Sequence, residues 1–112
     1  LPYHLSSLTQ AAAIAALELS GELLANVARI ISARNALAEK MTSLGLRVEP
    51  SDSNFLLFSG FHQPPAQLWS VLVDQGILIR DVGIADHLRV TIGTPAENEA
   101  FLRALQSQLE KL

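Results

Sequence analysis

The hydrophobic period of this 112-residue chain changes at Gly45, and the change constrains the fold more than any other feature. Before Gly45, apolar residues recur at helical spacing over about six turns, at Leu23, Val27, Ile30, Ile31, Leu37, Ala38, Met41 and Leu44. Polar residues such as Arg29, Arg34 and Lys40 fall mainly on the other side of this predicted helix. After Gly45, residues 46–49 alternate between apolar and charged types, as in a half-buried strand.

A shorter helix is predicted ahead of the long one. Ser7 is followed three residues later by Gln10, a pattern typical of a capping box that satisfies free backbone donors. We expect the helix to end near Gly21, because glycine adopts the left-handed conformation without a Cβ penalty. Residues 11–17 are apolar throughout, so this helix needs cover on more than one side.

Short elements are predicted through the rest of the chain. Residues 54–58 are a run that is apolar after Asn54, typical of a strand that is covered on both faces or central in its sheet. Further strands are predicted at residues 77–80 and 88–92, and a short helix after the proline pair at 64–65 ends at Gly76. We therefore expect an α+β fold with helices against a small sheet of about four strands.

The last helix has the clearest start. Thr94, Pro95 and Glu97 combine an N-cap, a first-turn proline and a capping glutamate. The predicted buried stripe behind them is Phe101, Leu102, Leu105, Leu109 and Leu112. Trp69 in the preceding short helix and Phe101 are both expected to be core residues.

Composition excludes several functions. The net charge of −3, from 8 basic and 11 acidic residues, argues against nucleic-acid binding. No apolar run approaches the roughly 20 residues of a membrane span, and the lack of cysteine excludes disulfides and thiolate sites. His4, His62 and His87 lie in separate segments, so no metal site is predicted, and His62 and His87 are expected in exposed loops.

Two further patterns are assigned no catalytic role. Residues 51–53 are predicted to form a turn through side chain to backbone bonds and not to form part of a catalytic triad. Neither a dinucleotide-binding glycine motif nor a P-loop is present. The chain begins with leucine and shows no signal-peptide pattern, so we expect a piece of a longer protein.

Two arginines are candidate ligands for an anion. Alternation in the last strand puts Arg89 on the face opposite Leu88 and Val90. It is either an ordinary solvent-facing arginine or a planar fork for carboxylate or phosphate oxygens. Arg80 either pairs with Asp81 or converges with Arg89 on one dianionic group, and spacing alone does not decide between these.

Four segments in this order resemble the C-terminal small domain of fold type I pyridoxal-phosphate aminotransferases, specifically histidinol-phosphate aminotransferases. They are LPYHLSS at residues 1–7, PSDSNF at 50–55, GILIRD at 76–81 and LRVTIG at 88–93. The resemblance covers nearly the whole chain and implies a mainly antiparallel sheet. It divides residues 1–112 into a junction segment with the first helix (1–21) and the domain proper (22–112), without the large cofactor-binding domain.

The resemblance also implies a function. Such enzymes transfer an amino group between L-histidinol phosphate and 2-oxoglutarate in histidine biosynthesis, using pyridoxal 5′-phosphate held as a lysine Schiff base. They are expected to be cytoplasmic homodimers in which the small domain closes over an active site on the large domain. Arg89 matches an arginine that binds the substrate anion, and Arg80 matches a second arginine of the same site.

The cofactor-binding lysine is not expected in this chain. Its two lysines are Lys40, late on the long helix, and Lys111, the penultimate residue, and both are expected to be solvated. Schiff-base catalysis requires a desolvated amine, so no catalytic or cofactor-binding residue is assigned here and the isolated chain is predicted to be inactive.

Alternatives remain at this point. The parent enzyme could be another fold type I aminotransferase, for example one for aromatic amino acids, or a decarboxylase of a phosphorylated amino acid. A different class is a free-standing α+β module in which Arg80 and Arg89 hold a small anionic effector. The Ile-Arg-Asp-Val-Gly stretch at residues 79–83 favours the histidinol-phosphate enzyme.

Overall fold

The computed structural model describes residues 3–111 and confirms the predicted α+β class. Four helices and three strands lie within these residues: α1 (Ser7–Glu18), α2 (Ser20–Ser43), β1 (Arg47–Val48), β2 (Phe55–Ser59), α3 (Pro65–Asp74), β3 (Leu88–Thr91) and α4 (Pro95–Leu109). Leu1 and Pro2 of the first matching segment, and Leu112 of the predicted stripe, lie outside the described residues. The boundary predicted between residues 21 and 22 falls inside α2.

The sheet is antiparallel, in the order β1-β2-β3. The central position predicted for β2 is confirmed, but its two faces differ. Leu56 and Phe58 are buried, whereas Phe55 and Leu57 are only half-buried on the other face. Helices therefore cover one side of the sheet and leave the other side partly open.

The prediction of a fourth strand at residues 77–80 is wrong. A single residue of it, Arg80, bridges to β3. The backbone of the preceding residues is bound to α3 instead: the Ile77 N–H donates to the Leu72 carbonyl at 2.9 Å, and the Ile79 carbonyl accepts from the indole Nε1 of Trp69 at 2.9 Å. These bonds tie residues 77–79 to α3, and of the predicted strand Arg80 alone pairs with β3.

The core lies between the closed side of the sheet and the helices. It contains Leu37 and Met41 of α2, Leu68 and Leu72 of α3, Phe101 and Leu105 of α4, and Leu56, Phe58, Leu88 and Val90 of the sheet. The ring of Phe58 meets that of Phe101 edge to face, with centroids 6.1 Å apart. The core position predicted for Phe101 is confirmed. The one predicted for Trp69 is wrong, because the residue is 37% exposed, although its indole Nε1 donates to the carbonyl of the buried Ile79.

The N-terminal part of the chain projects from this core. Every described residue from Tyr3 to Ser32 is exposed, including the predicted stripe residues Val27 and Ile31 of α2. The helices α1 and α2 meet at a bend of 75°, and the chain measures 55 × 32 × 25 Å. No single helix within the described residues is long and apolar enough to span a membrane, although α1 and α2, joined at the bend, are so by length and composition when taken together.

The ends of the first helix differ by a few residues from prediction. The cap is Ser6 and not Ser7, because the Ser6 Oγ accepts from the Thr9 N–H at 3.1 Å. The break falls at Leu19, and Gly21 lies in the first turn of α2 without the left-handed backbone predicted for it.

The capping box predicted for α4 is confirmed. The Thr94 N–H donates to Glu97 Oε2 at 2.9 Å, and the Glu97 N–H donates to Thr94 Oγ1 at 3.3 Å. The buried stripe of α4 differs in part from the prediction: Ala104 and Gln108 are buried, whereas Leu102 and Leu109 are half-buried.

Candidate functional site

Arg89 lies on the partly open face of the sheet, as alternation along β3 predicts. Its neighbours Leu88 and Val90 are buried on the core side, whereas Arg89 is half-buried. Arg89 stands opposite Leu57 of β2, and Phe55 stands opposite Thr91. Because side chains alternate across a strand, these four residues share the face that no helix of the described chain covers.

Arg80 is brought directly opposite Arg89. The Arg80 N–H donates to the Arg89 carbonyl and the Arg89 N–H donates to the Arg80 carbonyl, both at 2.9 Å. Residues that exchange both bonds in an antiparallel pair have Cα atoms about 5.5 Å apart and side chains on the same face. The structure therefore juxtaposes the two arginines, which spacing in the sequence could not show.

No acidic side chain of the described residues forms an ion pair with either arginine. The neighbouring Asp81 uses its Oδ1 to accept from the Gly83 N–H at 3.0 Å, which shapes the following loop. Glu49, the residue after β1, pairs with Arg47 at 3.0 Å. The pairing of Arg80 with Asp81, one of the two alternatives from the sequence, does not occur. Two like charges face each other at this edge, an arrangement that destabilises a sheet in the absence of an anion.

The Arg89 guanidinium is held by an aromatic ring. Its Cζ lies 4.6 Å from the centroid of the Phe55 ring, within the range of a cation–π interaction. The buried Nε of Arg89 has no hydrogen-bond partner among the described residues. A buried donor without a partner costs free energy, so the Phe55 ring and not a hydrogen bond at Nε holds this side chain.

The other candidate side chains are assigned no catalytic role. Ser51 Oγ donates to the Phe55 carbonyl at 2.6 Å, which confirms the predicted turn at residues 51–53. His62 is exposed as expected. The exposure expected for His87 is wrong: its side chain is 22% exposed, with Nδ1 bonded to the Ala85 carbonyl at 2.7 Å and Nε2 3.7 Å from Glu49.

The sequence matches the family described as aminotransferase class I and II over residues 1–105. The chain belongs to this aminotransferase family. One relative, a histidinol-phosphate aminotransferase from Mycobacterium sp. (strain JLS), is 56% identical over 104 residues, which make up 93% of this chain and 27% of that relative. The chain thus spans about a quarter of the length of the curated relatives it matches.

Solved structures share the aminotransferase fold. The histidinol-phosphate aminotransferase from Clostridium acetobutylicum superposes with a TM-score of 0.67 and 28% identity, covering 74% of this chain and 27% of that one. A decarboxylase from Sulfurospirillum multivorans superposes with a TM-score of 0.83, covering 96% of this chain and 33% of that one. At 19% identity, this second likeness concerns the fold alone.

The sequence analysis misses two residues near the candidate site. Phe55 was treated as part of an apolar strand, although strand parity could have placed it on the open face. Arg34 was assigned to the polar side of α2, yet it is 9% exposed and its Nη1 donates to the Ser53 carbonyl at 3.0 Å. Its spacing to Leu37 and Met41, three and seven residues on, was the available signal.

Proposed function

We propose that this chain is the small domain of a histidinol-phosphate aminotransferase, which transfers an amino group between L-histidinol phosphate and 2-oxoglutarate in histidine biosynthesis. Family membership and relatives of that name support an aminotransferase over a free-standing binding module. The observation that carries the proposal is the direct opposition of Arg80 and Arg89, neither of which forms an ion pair within residues 3–111.

The two arginines are proposed to bind the phosphate of the substrate. A phosphate monoester carries about −1.5 to −2 charges at pH 7, so two guanidinium groups neutralise it. Each guanidinium presents several N–H donors in a planar fork that matches phosphate oxygens. Arg89 lies in β3, and Arg80 is the residue that pairs with it. The backbone of both arginines is therefore fixed by hydrogen bonds.

The cofactor of the parent enzyme, pyridoxal 5′-phosphate, supplies the electron sink for amino transfer when it is bound. The described residues do not fit its Schiff-base site. Lys40 and Lys111 are both exposed, so neither provides the desolvated amine that the covalent chemistry needs. We assign the cofactor to the rest of the enzyme and derive no step through it here.

The partners of the domain are proposed on the same basis. The apolar side chains of α1 and of the first half of α2 are exposed, among them Leu8, Ile14, Leu17, Leu24 and Val27. The large domain of the same chain is the proposed cover for them. The parent enzyme is proposed to be a cytoplasmic homodimer acting on histidinol phosphate and 2-oxoglutarate or glutamate.

The proposal is tested by Arg89→Ala in the full-length enzyme. Losing a charge-assisted contact of about 1.5–3 kcal/mol should lower kcat/KM for histidinol phosphate by about 10–100-fold. Arg89→Lys should recover only part of the loss, because an ammonium is a point charge without the fork. Arg103→Ala is the matched control, since Arg103 is exposed on α4 and pairs only with Glu99 there.

An unchanged kcat/KM in Arg89→Ala would remove this residue from the substrate site. A side-by-side assay with histidinol phosphate, an aromatic amino acid and a phosphorylated amino acid separates the proposed enzyme from the related aminotransferases and decarboxylases. The proposal requires histidinol phosphate to be the best of the three substrates.

A further inference from the structure

We infer that Phe55 is a positioning residue for the phosphate site, because its ring holds the Arg89 guanidinium where a carboxylate would otherwise do so. This inference rests on the proposed function, since it concerns the same arginine. It adds a residue that touches no substrate atom and acts through Arg89.

The contact follows from the register of the sheet. Leu57 is directly opposite Arg89, and Phe55 lies two residues before Leu57 on the same face. Diagonal neighbours of this kind lie about 7–8 Å apart, within reach of aromatic and long side chains. The Arg89 side chain covers this distance and brings its Cζ to 4.6 Å from the ring centroid.

The ring itself is held on fixed backbone. The Phe55 carbonyl accepts from Ser51 Oγ at 2.6 Å, and the Ser53 carbonyl, two residues earlier, accepts from the buried Arg34 at 3.0 Å. The next residue, Leu56, is part of the core. Phe55 therefore offers Arg89 a platform that is anchored on both sides of its own position.

A ring suits this role better than a carboxylate. A carboxylate accepts the guanidinium N–H groups and cancels the charge, which would compete with a substrate phosphate. The face of a ring attracts the cation through its quadrupole and leaves the charge in place. This agrees with the buried Nε of Arg89, which no acceptor among the described residues satisfies.

The test compares two substrates in the full-length enzyme: L-histidinol phosphate, and L-histidinol, which lacks the phosphate. The readout is the ratio of their kcat/KM values. Phe55→Leu should lower this ratio about 3–10-fold, because a loosened guanidinium affects only the substrate that carries the anion. Phe55→Tyr retains the ring and should stay within about twofold of the wild-type ratio.

Phe61→Leu is the matched control. Phe61 is also half-buried, but its ring packs edge to face on Phe58 with centroids 5.7 Å apart, so its loss should leave the ratio unchanged. Phe55→Met, whose longer and more flexible side chain adapts to the space left by the ring, is measured alongside in case Phe55→Leu does not accumulate as folded enzyme. It should show the same loss in the ratio.

The outcomes separate this inference from the proposed function. A ratio that stays at the wild-type value in both Phe55→Leu and Phe55→Met overturns the role of Phe55. A loss in Phe55→Tyr as large as in Phe55→Leu does so as well, because the ring would then be irrelevant. If Arg89→Ala itself leaves the ratio unchanged, the phosphate site fails, and the role of Phe55 fails with it.

Discussion

Arg34→Ala is expected to destabilise the chain by about 2–3 kcal/mol. The Arg34 side chain is buried in the last half of α2, and its Nη1 donates to the Ser53 carbonyl at 3.0 Å. A hydrogen bond from a charged donor contributes about 1.5–3 kcal/mol, and truncation also removes the packing of the aliphatic stem. The bonds to Asn35 Oδ1, at 3.3 and 3.4 Å, are long and add little.

Equilibrium unfolding in urea measures this change. The midpoint should fall while the slope of the transition stays the same, because the fold and the area exposed on unfolding are unaltered. Measurements should be made at one chain concentration, since association through exposed apolar helices would add to the apparent stability. The stability of Arg34→Lys should lie between those of the wild type and Arg34→Ala, because its ammonium keeps the charge without the planar fork.

Arg29→Ala is the matched control. Arg29 lies on the same helix, is exposed and bonds only to Asn26 in the described structure, so its removal should change stability by less than about 0.5 kcal/mol. A destabilisation equally small in Arg34→Ala would refute the reasoning. It would mean that water replaces the guanidinium at the Ser53 carbonyl without measurable loss.

Three further outcomes are expected. Gly93→Ala should lower the free energy of unfolding by about 1 kcal/mol in urea titrations, because a Cβ there would meet the Glu97 carboxylate and break the capping box. Light scattering should show that the isolated chain self-associates through α1, and a strict monomer with slow amide exchange in α1 would contradict this. Pyridoxal 5′-phosphate added to the isolated chain should give no imine absorption band, and a band lost in Lys40→Ala would contradict this.

Local signals predicted much of the fold. The start of α4 could be predicted because its capping box lies within four consecutive residues, from Thr94 to Glu97. The end of α3 could be predicted because it is followed by Gly76, which adopts a positive φ of 79°. Residues 77–80 are predicted to form a strand because Ile77, Leu78 and Ile79 are apolar, but hydrogen bonds tie Ile77 and Ile79 to α3. Hydrophobic spacing does not show which partner a backbone N–H or C=O group takes, which is why the prediction of this strand is wrong.

The long helix shows a second limit of periodicity. Its apolar stripe was found, but spacing does not indicate which part of a stripe this chain covers. Leu37 and Met41 are buried, whereas Leu23 and Val27 are each 47% exposed. Arg34 lies on the buried side because a guanidinium can reach a backbone carbonyl while its stem packs against apolar groups. Charge alone led to its assignment to the polar side.

The sequence predicted which two arginines belong to the candidate site, but not how they are arranged in space. Strand alternation was sufficient to place Arg89 away from the core, because it depends only on neighbouring residues. Its opposition to Arg80 and its contact with Phe55 depend on how segments about 9 and 34 residues away, respectively, pair with β3. This register is set only in the folded chain. The residues themselves identified the two arginines as candidates, and the resemblance to a family placed them in one site before the register did.

Because its two arginines face each other, the candidate site does not stabilise the fold. Opposite charges in cross-strand pairs stabilise a sheet by up to about 1 kcal/mol, and like charges in that position oppose it. Arg80 joins the sheet through two backbone hydrogen bonds only, so its position depends on few contacts. A phosphate between the guanidinium groups would convert this repulsion into attraction. The two arginines proposed to bind the anion would therefore be best held when the anion is present, and the Phe55 ring keeps Arg89 in place when it is absent.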